Sequence, residues 1–307
     1  MRVLVTGASG FVGRALVDAL AGALTEVRAA VRRLPSFRFP PGVDVRLHGD
    51  LALPIDWTPL LGEVDAVVHL AGIAHVGADI AEAVYDRVNH LATAELAAAA
   101  QKAGVKHFVF ISSVRAQSGP TADHPLRETD APQPSDAYGR SKLAAERAVR
   151  ACGVPFTVLR PVLIYGAGVK GNFAANARLA STPLPQPFGS FENKRSLLSC
   201  ENLIEAIRFT LATATARGET YLVADGEPVS PADIITALRK GRGRSPGLLH
   251  VPPPLVRSAL SLVGRASMWE RLGGQLVVDV GKLMSAGWQP RADTRAQLAQ
   301  MAEAGVR

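Results

Sequence analysis

The chain has 307 residues, 48% of them hydrophobic and 20% charged, which is ordinary globular composition and long enough for a large core. Its formal charge is +7, but the arginines are dispersed and not interleaved with aromatics; this argues against nucleic acid and leaves a small anionic ligand or plain compositional bias. No apolar run approaches the roughly 20 residues of a membrane span, and the two cysteines, Cys152 and Cys200, match no metal spacing and suit a reducing, cytoplasmic setting.

Val3–Val5 reads as a buried parallel strand. Gly7, Gly10 and Gly13 follow at spacing three, and the helical pattern Phe11, Val12, Leu16, Leu20 begins at once. Glycines there permit a sharp turn, close approach to a pyrophosphate and tight helix–strand packing, while the helix N-terminus offers free N–H groups. Gly7, Ser9, Gly10, Phe11, Val12 and Gly13 are the expected phosphate seat of a dinucleotide. The next strand, Val27–Val31, ends in Arg32 and Arg33 where NAD-using proteins usually place an acid. Two guanidiniums suit a 2′-phosphate, so NADP is favoured, with NAD as the alternative and solvated surface arginines as the plain reading.

Further apolar runs lie at Val43–Leu47, Ala66–Leu70, Phe108–Ile111 and Thr157–Leu159, with helical patterns between most of them, including an Ala-rich one at about 80–103. This alternation predicts an α/β fold, a doubly wound parallel sheet with helices on both faces. The Phe108–Ile111 strand ends in Ser112 and Ser113, at the sheet edge where ligands bind. Either could satisfy strand-end backbone, and Ser113 is the better candidate to hold a substrate oxygen.

Tyr138 and Lys142 lie four apart in a helix that Ser135 or Asp136 can cap. An ammonium one turn away is expected to lower the phenol's pKa toward the working range. Ser113, Tyr138 and Lys142 are therefore the candidate catalytic residues. His69, in a strand, is expected to be packed, and His48, His75, His90 and His107 show no ligand spacing, so no metal is read. Trp57 and Trp269 read as packing residues.

Residues 166–196 are irregular and rich in Gly and Pro. Helix returns at Ser199–Thr213, and Ser230-Pro231-Ala-Asp233 is a helix start with a cap, a first-position proline and an acid in the first turn. The remainder reads as short helices. The expected domains are a cofactor domain over 1–165, joined by about 197–225 and 275–281, and a smaller, mostly helical C-terminal substrate lobe from 166–196 and 226–307.

The whole series resembles the extended short-chain dehydrogenase/reductase family, the nucleotide-sugar epimerases and dehydratases. The matching residues are Thr6-Gly7-x-x-Gly10-x-x-Gly13, Asp50-Leu51, His69-Leu-Ala-Gly72, Asn89, Ser112-Ser113 and Tyr138-x-x-x-Lys142. They continue through Arg160-Pro161, Tyr165-Gly-x-Gly168, Lys194-Arg195-Ser196 and Gly287-Trp288-x-Pro290. The resemblance implies a Rossmann-type sheet. It implies that Asp50 meets adenine, that Leu51, Leu70, Ala71 and Gly72 line the cofactor with Ser112 and Pro161, and that Asn89, counted with the cofactor residues, supports the central helix near the site. It assigns Arg195 to a substrate diphosphate, with Arg271, before an expected late strand Leu276–Val278, as a second candidate. Asn172 and Asn176, four apart after the Gly168 loop, could touch sugar or uracil or face solvent. Many members carry Val-Tyr-Gly shortly after the serine pair; here Ala116-Gln117-Ser118 stands there. Asn193–Ser199, Val251–Leu255 and Arg271–Gln275 look like bacterial 4-keto-reductases that make UDP-linked N-acetyl-quinovosamine.

The expected function is an NAD(P)-dependent reduction at C4 of a nucleotide sugar, a UDP-sugar by preference. A 4-epimerase on the same site, a non-sugar ketone reductase and a non-catalytic NAD(P) sensor are the alternatives. The partner is this small molecule, without nucleic acid or a membrane span; a homodimer is among the open assembly states.

Overall fold

The chain is described from a computed structural model, which covers all residues except 24, 75–79, 170–179, 263, 265–268, 270–271, 292 and 304–307. Nine strands are present among the described residues: β1 Arg2–Thr6, β2 Glu26–Val31, β3 Asp44–Leu47, β4 Ala66–His69, β5 His107–Ile111, β6 Phe156–Pro161, β7 Leu163–Tyr165, β8 Leu197–Ser199 and β9 Glu219–Val223. Seven form one parallel sheet in the order β3-β2-β1-β4-β5-β6-β9, and β7 pairs with β8 in a separate parallel ribbon. The order reverses between β1 and β4, so the crevice outside their carboxyl ends is the ligand-binding position of an open α/β sheet.

The helices are α1 Phe11–Ala21, α2 Thr58–Leu61, α3 Glu82–Tyr85, α4 Ala92–Lys102, α5 Ala137–Ala151, α6 Cys200–Ala212, α7 Pro231–Lys240, α8 Pro253–Leu262, α9 Gly281–Ser285 and α10 Thr294–Glu303. The pleat divides the core in two. Val3, Val5, Val68, Val109 and Leu159 face α1 and α6 through Leu16, Leu20, Leu203 and Ile207. Leu4, Val67, Phe108, Phe110 and Val158 face the other side, against Leu60, Leu96, Ala100 and Val149. Strands covered on both faces must be apolar throughout, which is why they read as continuous runs rather than alternations.

A third core joins Tyr165, Phe188, Phe191 and Leu197 to Ile234, Leu238, Leu298 and Met301. It packs the Pro- and Gly-rich segment against α7 and α10. The α7 start is a full capping box, with Ser230 and Asp233 each bonding the other's backbone N–H. Beneath it, Tyr165 donates to Asp225 Oδ2 at 2.6 Å, and Asp225 Oδ1 accepts from Ser199 N and Asn202 Nδ2. Burial holds the Asp225 carboxyl above its ordinary range and the Tyr165 phenol far above its own.

Leu276–Val278 does not form the expected late strand. It makes single bridges instead, Leu276 to Arg195 and Val278 to Leu126. The physical reason is that its backbone alternates between two loops, with Leu276 N on Lys194 O and Leu126 N on Val277 O. No helix among the described residues is long and apolar enough to cross a membrane.

Candidate active site

The glycine turn is built as its spacing predicts. Gly7 has φ +68°, and a Cβ there would lie 2.8 Å from Ala71 N; a Cβ on Gly13 would lie 2.1 Å from Gly7 O. The turn therefore presses on the end of β4, and α1 presses on the turn. Gly10 caps α1 without a side-chain bond, so the first turn of α1 is left to backbone donors. This bare cradle fits a dinucleotide pyrophosphate; Ser9 beside it is exposed, and Phe11 and Val12 are partly buried.

His69 sits at the end of β4 and is fully buried. Its Nδ1 lies 2.7 Å from Thr6 Oγ1 and its Nε2 2.9 Å from Thr93 Oγ1. Thr93 donates onward to Asn89 O, so Nε2 carries the proton; Thr6 accepts from Ala71 N, so its hydroxyl proton goes to Nδ1. Burial and the nearby Lys142 push this imidazole down to about 3. His69 is thus a neutral tie beneath Leu70–Gly72, packed as expected.

Asn89 lies in a π-helical turn, Asp86–Leu91, between α3 and α4. Its amide accepts from Ile73 N and donates to Ile73 O and Ser141 Oγ. A Cβ on Gly72 would lie 2.7 Å from Asn89 Oδ1, so the glycine makes room for this clasp. Asn89 therefore joins the β4 loop to α5, as the resemblance implies.

At the end of β5 the two serines part. Ser112 donates to Glu146 Oε1 at 2.6 Å. That buried carboxylate also takes Arg160 at 2.9 and 2.7 Å and Arg150 at 3.1 Å. Ser113 instead accepts from Arg115 N at 3.1 Å and shares a hydrogen bond with the Tyr138 hydroxyl. Asp136, not Ser135, caps α5 by accepting from Gly139 N at 2.7 Å. Lys142 donates to Ile111 O at 2.7 Å, with its ammonium 4.3 Å above the Phe110 ring, and burial lowers it to about 7 against the pull of Glu146.

The Tyr138 phenol departs from expectation. Burial raises it above the ordinary value, and Asp136 and Tyr85 add to the rise, while Ser113 and Arg115 oppose it. The Lys142 ammonium is engaged by Ile111 O, and burial outweighs the downward pulls on the phenol. Tyr85, on α3, stands edge-on to Tyr138 at 5.9 Å between ring centres; sequence reasoning passed it over. Gln117 points inward: it accepts from Arg160 at 2.8 Å and donates to Arg127 O.

Arg195 is half-buried and donates to Gly274 O and Pro120 O at 3.0 and 3.2 Å, while its backbone pairs with Val229. Burial, then the charge of Arg115, lowers its guanidinium. Glu201 lies 3.9 Å from Arg291. Arg32 and Arg33 are exposed at the end of β2, and the charge of Arg32 reaches His48. Asp50 is exposed and turns its carboxylate to Ala52 N; Leu51 and Pro161 are buried. Trp57 packs on His48, and Trp269 on Phe191. Asn172, Asn176, Arg271 and His75 lie outside the described residues.

A seven-stranded doubly wound sheet with this turn and this Ser–Tyr–Lys set defines a dinucleotide-dependent protein of the short-chain dehydrogenase/reductase type. Residues 3–224 match the model of the NAD dependent epimerase/dehydratase family, and the chain belongs to that family. Among its relatives, UDP-glucose 4-epimerase of Vibrio cholerae is 35% identical over 318 residues, covering 98% of this chain and 94% of the relative. Among solved structures, MoeE5 in complex with UDP-glucuronic acid and NAD is 26% identical with a TM-score of 0.77, covering 99% of this chain and 98% of that one. UDP-N-acetylglucosamine 4-epimerase from Bacillus cereus superposes with a TM-score of 0.80 at 20% identity, over 100% of this chain and 99% of that one, which speaks for the fold.

Proposed function

We propose that this chain reduces a ketone at C4 of a UDP-linked sugar, with NADPH as the reductant. The observation that carries the reading is the Tyr138 hydroxyl bonded to Ser113 at the carboxyl end of β5, with buried Lys142 one turn further along α5. A nicotinamide bound in the crevice supplies the hydride. Tyr138 then gives its proton to the ketone oxygen, and Ser113 holds that oxygen in place. Lys142, anchored on Ile111 O, holds the ribose and favours the tyrosinate left behind. Burial makes the phenol a weaker acid, so the reading rests on its place beside Ser113 and not on its acidity.

The preference for NADPH is supported by Arg32 and Arg33 where an acid would select NAD. Arg195 is the proposed grip on the diphosphate. A second reading, a 4-epimerase, is favoured by the Vibrio cholerae relative and by the NAD held in the MoeE5 structure. There Tyr138 would take a proton from the C4 hydroxyl and return it after the keto sugar turns.

The deciding experiment incubates purified protein with UDP-glucose, UDP-N-acetylglucosamine and enzymatically generated UDP-4-keto sugars. Absorbance at 340 nm is followed and the sugars are resolved by chromatography. Net oxidation of NADPH with a new C4 alcohol supports the reductase; a changed C4 centre without net redox supports the epimerase. Tyr138→Phe should lose several powers of ten in turnover while keeping its cofactor affinity. Retention of turnover within about tenfold would sink both readings.

A further inference from the structure

The turn after β5 carries a charge that the proposed chemistry leaves unused. Val114–Ala116 forms a single 3-10 turn whose start is capped by the Ser113 hydroxyl, accepting from Arg115 N at 3.1 Å. The Arg115 side chain folds back as an ion pair onto Asp136 and reaches Ser135 Oγ at 3.5 Å. Both members of the pair are largely shielded, with side-chain exposures of 18% and 24%. The other oxygen of Asp136 caps α5 through Gly139 N. One carboxylate therefore fastens the first turn of α5 and the guanidinium together. Ser113 is shared in the same way, between the amide of Arg115 and the hydroxyl of Tyr138.

We propose that Arg115 is a positioning residue for the proton transfer: clamped to Asp136, it fixes Tyr138 against Ser113 and holds a positive charge beside the phenol. The inference rests on the reading of Tyr138 as the proton-transfer group.

The charges around the phenol support it. Asp136, on the same element, raises the phenol; so does Tyr85 from α3; Arg115, from the turn after β5, lowers it. Lys142 lies one turn along α5 with its ammonium on Ile111 O. Arg115 and Asp136 therefore act on the phenol with opposite signs across one ion pair. A pair that braced the fold without its charges reaching the phenol would have no such sign, since loss of either member would only loosen the same contact. Gln117, two residues further on, is engaged elsewhere, by Arg160.

Opposite signs can be measured. 3-Fluorotyrosine is incorporated into the NAD⁺-loaded protein, which acidifies phenols into a range the fold tolerates, and titration is followed by ¹⁹F NMR. The Tyr138 resonance is assigned by its loss in Tyr138→Phe. Arg115→Met should move the Tyr138 midpoint up by about half a pH unit or more, and Asp136→Asn should move it down by a similar amount. Asn still caps a helix, so the second variant keeps α5 in place. Arg115→Lys, which retains the charge, should titrate close to the parent. Midpoints that do not move, or that move the same way in both variants, overturn the proposal and leave a structural ion pair. The titration needs no substrate, so its failure is separate from a failure of the functional reading. That reading is tested by the turnover of Tyr138→Phe.

Discussion

The carbonyl oxygen of Arg115 lies 2.2 Å from the point where a Cβ on Gly139 would stand. Helix α5 thus meets the turn after β5 backbone to backbone, and this approach carries Tyr138 onto Ser113. Gly139→Ala should push the two apart. Overpacking of this kind costs about 1–3 kcal/mol, and turnover should fall about tenfold or more because the phenol leaves its partner. Urea unfolding and steady-state kinetics of the variant check the two effects separately; cofactor affinity should change little.

Arg32 and Arg33 stand exposed at the end of β2, free to meet a phosphate on the adenosine ribose. Changing both to Ala should weaken NADPH binding by roughly 1.5–3 kcal/mol, about one to two powers of ten, and leave NADH binding nearly unchanged. Fluorescence titration with the two reduced cofactors measures the ratio. An equal loss for both would remove the arginines from the 2′-phosphate.

Arg195 has two kinds of contact to lose. Its guanidinium already ties Gly274 O to Pro120 O, so Arg195→Ala should lower the melting temperature modestly as well as weaken the substrate. The distinguishing effect is a sharply raised KM for a UDP-sugar with unchanged NADP(H) affinity, and some loss of kcat, since remote binding energy also positions the reacting carbon. Unchanged KM with a lowered melting temperature would leave Arg195 as a structural tie only.

His69 should make the protein sensitive to acid. Its folded value of about 3 lies below the ordinary 6.5, so the unfolded chain takes up the proton first. The stability conferred by the neutral ring is complete above pH 6.5 and declines toward pH 3 by about 1.4 kcal/mol per pH unit. His107, lowered to about 4 by burial, adds to the slope in the same direction. Urea unfolding at pH 7, 5.5 and 4.5 should show the decline, and His69→Gln should remove about one proton's worth of it. An unaltered slope in His69→Gln would place the acid sensitivity elsewhere.

The β1 to β6 runs were legible within a residue or two, five of them because strands covered on both faces are apolar throughout; β3 is a half-exposed edge strand. The strand β9 was not among those runs. Its place beside β6 depends on a crossover of some sixty residues that no local pattern encodes. The Leu276–Val278 segment has strand-like residues but shares only a single bridge with each of Arg195 and Leu126, too little for a ladder, so tertiary pairing overruled propensity. The Ser–Tyr–Lys set was legible because its spacing is local and its strand is apolar. The surroundings that tune Tyr138 were not: Tyr85 and Arg115 come from separate elements, and no periodicity ties either to residue 138. The Glu146–Arg160–Gln117 network was equally hidden, since Glu146 falls on a helix at a position that also suits a solvent-facing acid.

The neighbouring serines give the site a parity. Ser112 and Ser113 point to opposite sides because successive residues of an extended chain must, so one hydroxyl is committed to Glu146 and the other to Tyr138. Glu146 has both oxygens occupied by Ser112, Arg160 and Arg150, so it has no lone pair to spare for a substrate proton. The Glu146 carboxylate is therefore closed to proton exchange, and a one-residue shift at the strand end between Ile111 and Ser113 would hand the wrong hydroxyl to the phenol. The loops beyond can change length freely, but this strand end can shift only in twos.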